Sequence, residues 1–362
     1  MSKGKTWAII GGGNGGQALA GHLSLMGYTT RLYDIIPATV DAINARKSIT
    51  LKGAVQGTAP VEFATQDIQK AVSGADYIMI TVPALAHAEL AEKLAPHLWD
   101  GAFVYLHPGA TLGALEFFCL IKKHGCTADV TVSEANSLIY ACRAEAPGVV
   151  NILGLKSELL IGTIPAARSA EALQPFKDCF PQARGAVNVL ESSMAYTNST
   201  LHPGPSLLNV ALIESRHEWR YYVDGFSPSI GAYMEKMDRE RLLLCDALEV
   251  PGQFIVDWFK TAYKVDKPTL AEAAAVNPAY QDVKGQKSMY TRYILEDIPN
   301  ALVPLLELAR LFDIPAPRTE AMITLAYLLL DEEKFPPQRT LRRMGLDQYS
   351  GAELKRFAVE GR

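Results

Sequence analysis

The 362-residue chain has few cysteines, no long apolar run and no concentration of positive charge, and each shortage removes a class of explanation. Its five cysteines, Cys119, Cys126, Cys142, Cys179 and Cys245, form an odd set without a C-x-x-C pair, so neither a disulfide framework nor a cysteine zinc site is indicated. No histidine cluster stands at ligand spacing, and no metal is expected. Buried free thiols in a reducing cytoplasm are the simplest expectation. No uncharged stretch reaches the roughly 18 apolar residues of a membrane span. The N-terminus, Met1 to Lys5, passes into a strand without a signal-type apolar region. A cytoplasmic protein with no membrane partner is therefore expected. The 35 Lys plus Arg residues face 39 Asp plus Glu, a formal charge of −4, and are not gathered into a basic run, which argues against a nucleic-acid partner.

What remains is an ordinary globular composition, 49% hydrophobic and 20% charged, too long for one compact core and suited to about two domains. The first half alternates short apolar strands with helical stretches, the signature of βαβ units and a mainly parallel sheet. Strands are expected at Trp7 to Ile10, Thr29 to Tyr33, Tyr77 to Val82 and Phe103 to Leu106, with further ones through Asp129 to Ser133 and Leu159 to Gly162. Helices are expected at Gly15 to Met26, Ala38 to Arg46 and Ala86 to Leu98, and Glu145 to Gly148 reads as a turn-rich connection. After about Arg184, helical periodicity takes over. Ser227 is a candidate N-cap with Pro228 at the first helical position, and Ile230, Tyr233, Met234, Met237, Leu244 and Leu248 follow at helical spacing. The expectation is an α/β domain over residues 1–184 and an all-α domain over 185–362.

Gly11-Gly12-Gly13-Asn14-Gly15-Gly16 follows the first strand and opens the first helix. It matches G-x-G-x-x-G through Gly11, Gly13 and Gly16: one glycine for the tight turn, one for approach of a pyrophosphate, one for close packing of helix on strand. The bland alternative is a tight strand-to-helix turn. Asp34 ends the second strand 18 residues beyond Gly16, where a carboxylate can accept from adenosine ribose hydroxyls, so a Rossmann-type dinucleotide domain is expected. A 2′-phosphate beside that carboxylate would meet repulsion of about 1–4 kcal/mol per charge pair. NAD is thus expected over NADP, with Arg31 the counterargument. Val82-Pro83 and the turn His107-Pro108-Gly109-Ala110-Thr111 lie at carboxyl ends of strands, the edge where ligands bind in open parallel sheets, although turning the chain would explain them equally well.

Hydride transfer to a carbonyl or imine needs a proton donor and acceptor and a group that fixes a substrate carboxylate. Of seven histidines, six read as packing, turn or surface residues. His202 differs: it lies in Asn198-Ser199-Thr200-Leu201-His202-Pro203-Gly204, at a proline-glycine break, with Asn198 four residues earlier on the same helical face. Arg292-Tyr293-Ile294-Leu295-Glu296-Asp297 is by composition a charged turn. Spacing alone leaves both segments open between chemistry and structure.

At these residues the sequence resembles the opine dehydrogenase family, the octopine and nopaline dehydrogenase group. The resemblance runs along essentially the whole chain, through Gly11 to Gly16, Pro108-Gly109-Ala110-Thr111, Cys142-Arg143, Asn198 to His202, Asn277-Pro278-Ala279-Tyr280, and Arg292-Tyr293 with Glu296-Asp297. It implies NADH-dependent reductive condensation of an amino acid with a 2-oxo acid, commonly pyruvate, in a cleft between the domains, and a homodimer. It also implies His202 as general acid and base with Asp297 its partner, and Arg292 as the grip on a substrate carboxylate. Asn198 is expected near the reacting centre, Tyr280 beside the amino-acid side chain, and Arg143 as either a second carboxylate anchor or an ion-pairing residue. The chain departs from the family at Glu134-Ala135-Asn136, where relatives place small hydroxyl residues. A related 2-oxo-acid or sugar-phosphate reductase would instead need a lysine acid, for which Lys287 is the candidate. A non-catalytic dinucleotide sensor would leave His202 and Asp297 apart.

Overall fold

The computed structural model describes residues 4–215 and 217–362. The chain divides into two compact units. The first comprises the residues up to Gly109, Gly113–Ser192 and the C-terminal Arg356–Arg362; the second comprises Ala110–Leu112 and Ser193–Lys355. The first unit therefore runs past Arg184, where the sequence pattern changes, and regains the chain's last residues.

Among the described residues, twelve strands build the first unit: β1 (Thr6–Ile10), β2 (Thr29–Tyr33), β3 (Ser48–Gly53), β4 (Gly57–Pro60), β5 (Phe63–Thr65), β6 (Tyr77–Ile80), β7 (Phe103–Leu106), β8 (Thr131–Ala135), β9 (Tyr140–Ala146), β10 (Val149–Leu155), β11 (Leu159–Ile164) and β12 (Ala183–Gly185). Eight form one sheet in the order β12-β11-β8-β7-β6-β1-β2-β5. All its pairings are parallel except β11 with β8. Strand β1 is buried along Trp7 to Ile10, as expected of a parallel strand covered on both faces. Its neighbours β2 and β6 put the Gly11 loop at the carboxyl edge of the sheet's centre.

The remaining strands form a second sheet, β4-β3-β10-β9, that the periodicity did not anticipate. Its strands alternate buried with exposed or half-exposed residues, and its central pairing joins β3 to β10 nearly a hundred residues away, information that no local pattern carries. The Glu145 to Gly148 connection is the turn of the β9–β10 hairpin. Helix α1 (Asn14–Leu25) packs on this sheet through Gly21, where a Cβ would lie 2.9 Å from Ile49 and 3.0 Å from Leu51. Two other expectations shift. The strand expected at Asp129 to Ser133 is β8, two residues later, which draws Glu134 into it. The helix expected over Ala86 to Leu98 is α-helical only at His87–Leu94 and finishes in a 3₁₀ turn at Ala95–His97, because Pro96 has no N–H to continue it.

In the second unit the long helix α2 (Pro228–Leu248) begins as expected, with Ser227 Oγ accepting from Ile230 N–H at 3.3 Å. Met234, Met237, Leu244 and Leu248 face the core with Leu201, Tyr221, Phe259 and Ile294. A buried pair, Arg241 Nε to Asp238 Oδ1 at 2.8 Å, ties α2 to the next segment, since Asp238 also accepts from Ile255 N–H and Arg241 donates to the Gln253 carbonyl. Ile298–Leu302 forms a π-helical turn directly after Asp297. Arg339, fully buried, donates to the Asn300 carbonyl of that turn at 3.2 Å and to the Thr111 carbonyl at 2.7 Å. Thr111 sits between Ala110 and Leu112, both in the left-handed region. All five cysteines are free and buried, and burial pushes the Cys119 thiol up to about 12. Among the described residues, no helix is long and apolar enough to cross a membrane and no group of side chains is suited to a metal.

His107 directly follows β7 as a packing residue. Its Nε2 accepts from Ile139 N–H at 3.0 Å and its ring lies 5.4 Å from that of Phe176. Burial pushes its pKa down to about 3. The unfolded chain, titrating near 6.5, takes up this proton first, so the group's contribution is complete above pH 6.5 and is lost as pH falls toward 3, at about 1.4 kcal/mol per unit. His107→Gln, which keeps an acceptor for Ile139, should be less stable at pH 7, with the gap to the parent closing as pH falls from 6.5 to 4. Parallel melting temperatures across that range would contradict this.

Candidate active site

The residues expected to act separate into two groups, one in each unit. In the first unit, Gly11 adopts φ +113°, and a Cβ there would lie 2.8 Å from Val82 Cγ1. A Cβ on Gly16 would lie 1.7 Å from the Gly11 carbonyl oxygen, so α1 can lie against β1 only with glycine there. At Gly13, by contrast, a Cβ would meet nothing within 4 Å. That open side is where a ligand can approach the backbone. Gly13 caps α1 without a side-chain hydrogen bond, which leaves the first-turn N–H groups to face an anion.

Asp34, buried at the end of β2, accepts from Gly12 N–H at Oδ2 and from Ile36 N–H at Oδ1, the latter at 2.7 Å. Each carboxylate oxygen keeps a further lone pair for a ribose hydroxyl. Glycine loop, open helix terminus and fixed carboxylate together fit a dinucleotide. Val82 and Pro83 follow β6 at the same sheet edge, and Thr81 before them donates to both the Ile10 and Gly11 carbonyls. The second sheet also holds the loop: Ala144 N–H donates to Asn14 Oδ1 at 2.9 Å, and Gly148 N–H donates to Gln17 Oε1 at 2.7 Å. The Asn14 side chain thus serves the hairpin. Gly15 packs under Leu138. Arg143 stands exposed on β9, next to Ala144, and belongs to this unit. Glu134 is buried and accepts from Ala114 N–H at 2.7 Å and Ser192 Oγ–H at 2.9 Å.

In the second unit, tertiary structure brings His202 and Asp297 into contact across 95 residues: Nδ1 lies 2.7 Å from Oδ2, with both residues buried. The carboxylate accepts from Nδ1–H, which fixes the tautomer and leaves Nε2 as the proton-exchanging atom. Tyr196 donates to the other oxygen, Oδ1, at 2.8 Å, and Asn198 Nδ2 donates to the Tyr196 hydroxyl at 3.2 Å. Burial pushes the Tyr196 hydroxyl well above its usual range, so it stays a donor. Tyr221 donates to the His202 carbonyl at 2.6 Å. Tyr293 stacks on the imidazole, ring centres 4.0 Å apart, and the Tyr222 hydroxyl lies 3.3 Å from Nε2. Tyr280 stacks in turn on Tyr222 at 3.8 Å and donates to the Tyr263 hydroxyl. Arg292, exposed at the start of the short helix Arg292–Leu295, lies within electrostatic reach of Glu296 and Asp297. Lys287 pairs with Glu218 on the surface.

The sequence reading did not single out Thr81, Gln17, Tyr196, Tyr222 or Arg339. Gln17 adjoins the glycine loop and Tyr196 lies two residues before Asn198, proximities that could have drawn notice. Tyr222 and Arg339 carry no local signal.

Two family models match the chain: the α-helical domain of NAD/NADP octopine/nopaline dehydrogenase over residues 185–330 and the N-terminus of NAD-dependent glycerol-3-phosphate dehydrogenase over residues 6–111. An opine dehydrogenase of Arthrobacter sp. (strain 1C) is 37% identical over 361 residues, 99% of this chain and 100% of the relative. The ocs protein of Agrobacterium tumefaciens (strain Ach5) is 25% identical over 94% of this chain and 95% of its own. A solved octopine dehydrogenase with NADH and L-arginine has the same fold, with a TM-score of 0.80, 19% identity, and coverage of 99% of this chain and 98% of its own.

The 1.7 Å approach at Gly16 makes a direct prediction. Gly16→Ala should displace α1 from the loop, lowering stability by about 1–3 kcal/mol. NADH affinity should fall at least about tenfold, measured by quenching of protein fluorescence; unchanged NADH binding would contradict the glycine loop's role.

Proposed function

The chain belongs to the opine dehydrogenase family, and we propose that it joins the amino group of an amino acid to a 2-oxo acid such as pyruvate and reduces the resulting imine to a secondary-amine dicarboxylate. The observation that carries this reading is the 2.7 Å contact between His202 Nδ1 and Asp297 Oδ2, which prepares Nε2 for proton exchange. NADH supplies the hydride to the imine carbon. The loop residues Gly11, Gly13, Asn14, Gly15 and Gly16, with Asp34, Val82 and Pro83, would hold the dinucleotide. Asp34 supports NADH over its phosphorylated counterpart through charge repulsion, and Arg31 is engaged elsewhere, with Glu62 and the Ser73 carbonyl.

His202 would first take a proton from the substrate ammonium, freeing the nitrogen lone pair to attack the 2-oxo carbon. It would return that proton to the oxygen, giving a carbinolamine. Nε2 would then take a second proton from that same nitrogen and pass it to the hydroxyl, which leaves as water while the freed nitrogen lone pair forms the C=N bond. Reduction yields the amine, which takes up one more proton. In sum, one ammonium, one 2-oxo acid, one hydride and one proton become one protonated secondary amine and one water. Arg292 suits a substrate carboxylate, as a guanidinium offers paired donors. Asn198 acts through Tyr196 on Asp297, Tyr280 borders the aromatic group beside His202, and Arg143 is a candidate carboxylate anchor in the first unit.

The competing reductase would use Lys287, but that lysine is exposed and paired with Glu218. A mere dinucleotide sensor would have no use for a buried histidine–carboxylate contact. The buried free thiols support a reducing cytoplasm, and a homodimer is the assembly we propose by family resemblance.

Loss of NADH absorbance across a grid of 2-oxo acids and amino acids, each also alone, tests the reaction: turnover should need both components. A 2-oxo acid consuming NADH equally well alone would favour the reductase. His202→Ala should lower turnover by about 10²–10⁴ while NADH affinity stays near the parent value. Retained turnover would remove His202 from its role.

A further inference from the structure

We propose that Tyr222 is a further catalytic group, whose hydroxyl tracks the protonation state of His202 Nε2 and stabilises that nitrogen in both forms; the proposal rests on the acid–base role of His202. The Tyr222 oxygen lies 3.3 Å from Nε2, the nitrogen left available once Nδ1 is committed to Asp297. A neutral Nε2 needs a donor, and the phenol O–H provides one. A protonated Nε2 needs an acceptor, and the same oxygen provides a lone pair after rotation about its C–O bond. The exchange requires no heavy-atom movement.

Three further described neighbours of the imidazole are placed for other contacts. Asp297 is engaged at Nδ1, Tyr221 bonds the backbone carbonyl of His202, and Tyr293 covers the ring face at 4.0 Å. Tyr222 is itself fixed, stacked on Tyr280 at 3.8 Å and meeting Tyr221 edge-on at 5.0 Å. Burial pushes its hydroxyl well above the usual phenol range, so it neither ionises nor competes for the proton. As Nε2 takes a proton from the substrate ammonium, the phenol proton swings away and its oxygen shares the new N–H with the substrate oxygen. When that proton passes to the substrate oxygen, the phenol swings back. Tyr222 ends each cycle with the proton it began with.

The hydrogen bond to the charged imidazole is the stronger of the two, so the hydroxyl favours the protonated form. Tyr222→Phe keeps the ring and its aromatic contacts with Tyr221, Phe226 and Tyr280 and removes only the oxygen. It should lower kcat about 10- to 100-fold, leave the NADH dissociation constant within about twofold, and move the pH-profile limb that reports His202 downward by roughly 0.5 to 1 unit. The charged and titratable groups around the imidazole, Asp297, Glu296, Arg292, Tyr196, Tyr221 and Tyr293, are unaltered by the substitution.

Tyr263→Phe, which removes a hydroxyl from the same aromatic cluster away from His202, should leave kcat and the pH limb unchanged. His202→Ala is assayed alongside. Parent-level kcat in Tyr222→Phe, or a fall in kcat with an unshifted limb, overturns the proposal when His202→Ala is inactive, the second outcome marking a structural role only. An active His202→Ala overturns instead the acid–base reading beneath it. Circular dichroism melts of all variants give the folded fraction against which kcat is scaled.

Discussion

A buried carboxylate that accepts from one imidazole nitrogen is the constraint around which the second unit is arranged. Asp297 can occupy its place only because its two oxygens have separate donors, His202 Nδ1 and the Tyr196 hydroxyl. A buried carboxylate deprived of such partners would be costly. The surroundings follow from that requirement. The segment from Tyr196 to His202 supplies both donors, the π-helical turn after Asp297 is held by Arg339 through the Asn300 carbonyl, and Tyr221 restrains the histidine backbone. The wide turn coincides with prolines at 299 and 304, which cannot donate to a regular helix.

The first unit obeys a different constraint, the contact distance between backbone atoms at Gly11 and Gly16. The large sheet supplies the edge on which the glycine loop sits, and the small sheet supplies the clamps, through Asn14 and Gln17, that keep the loop in one conformation. Such clamps matter because a loop that orders only on ligand binding loses affinity to the entropy of ordering. The Asn14 side chain is engaged in this support. What the residue can still offer a phosphate is its backbone N–H at the helix terminus.

On the proposed reading, chemistry is divided between units of different architecture, with hydride supply tied to an α/β sheet edge and proton management to a helical core. The helical core suits the second task because its aromatic side chains, Tyr221, Tyr222 and Tyr293, surround one imidazole with rigid, weakly basic groups. Hydroxyls on such rings offer hydrogen bonds without competing charge. The same packing accounts for the burial of His202 and Asp297 in a chain whose net charge of −4 gives no hint of a charged interior.

Local sequence determined the Rossmann-type half of the protein to a large extent, because a glycine loop between strand and helix and an acidic residue at the end of the next strand are short-range features with short-range physical causes. It also determined the start of α2, where Ser227 and Pro228 act within one turn. Family resemblance, resting on spaced motifs, added His202, Asp297 and Arg292, which composition alone would have left as a turn and a charged surface. Tertiary structure alone decided what those residues touch. The 95-residue separation of His202 from Asp297, the pairing of β3 with β10, and the meeting of Arg339 with Thr111 and Asn300 are long-range contacts that no period or propensity encodes. They arise because burying the two cores leaves polar groups that must find partners wherever the chain brings them.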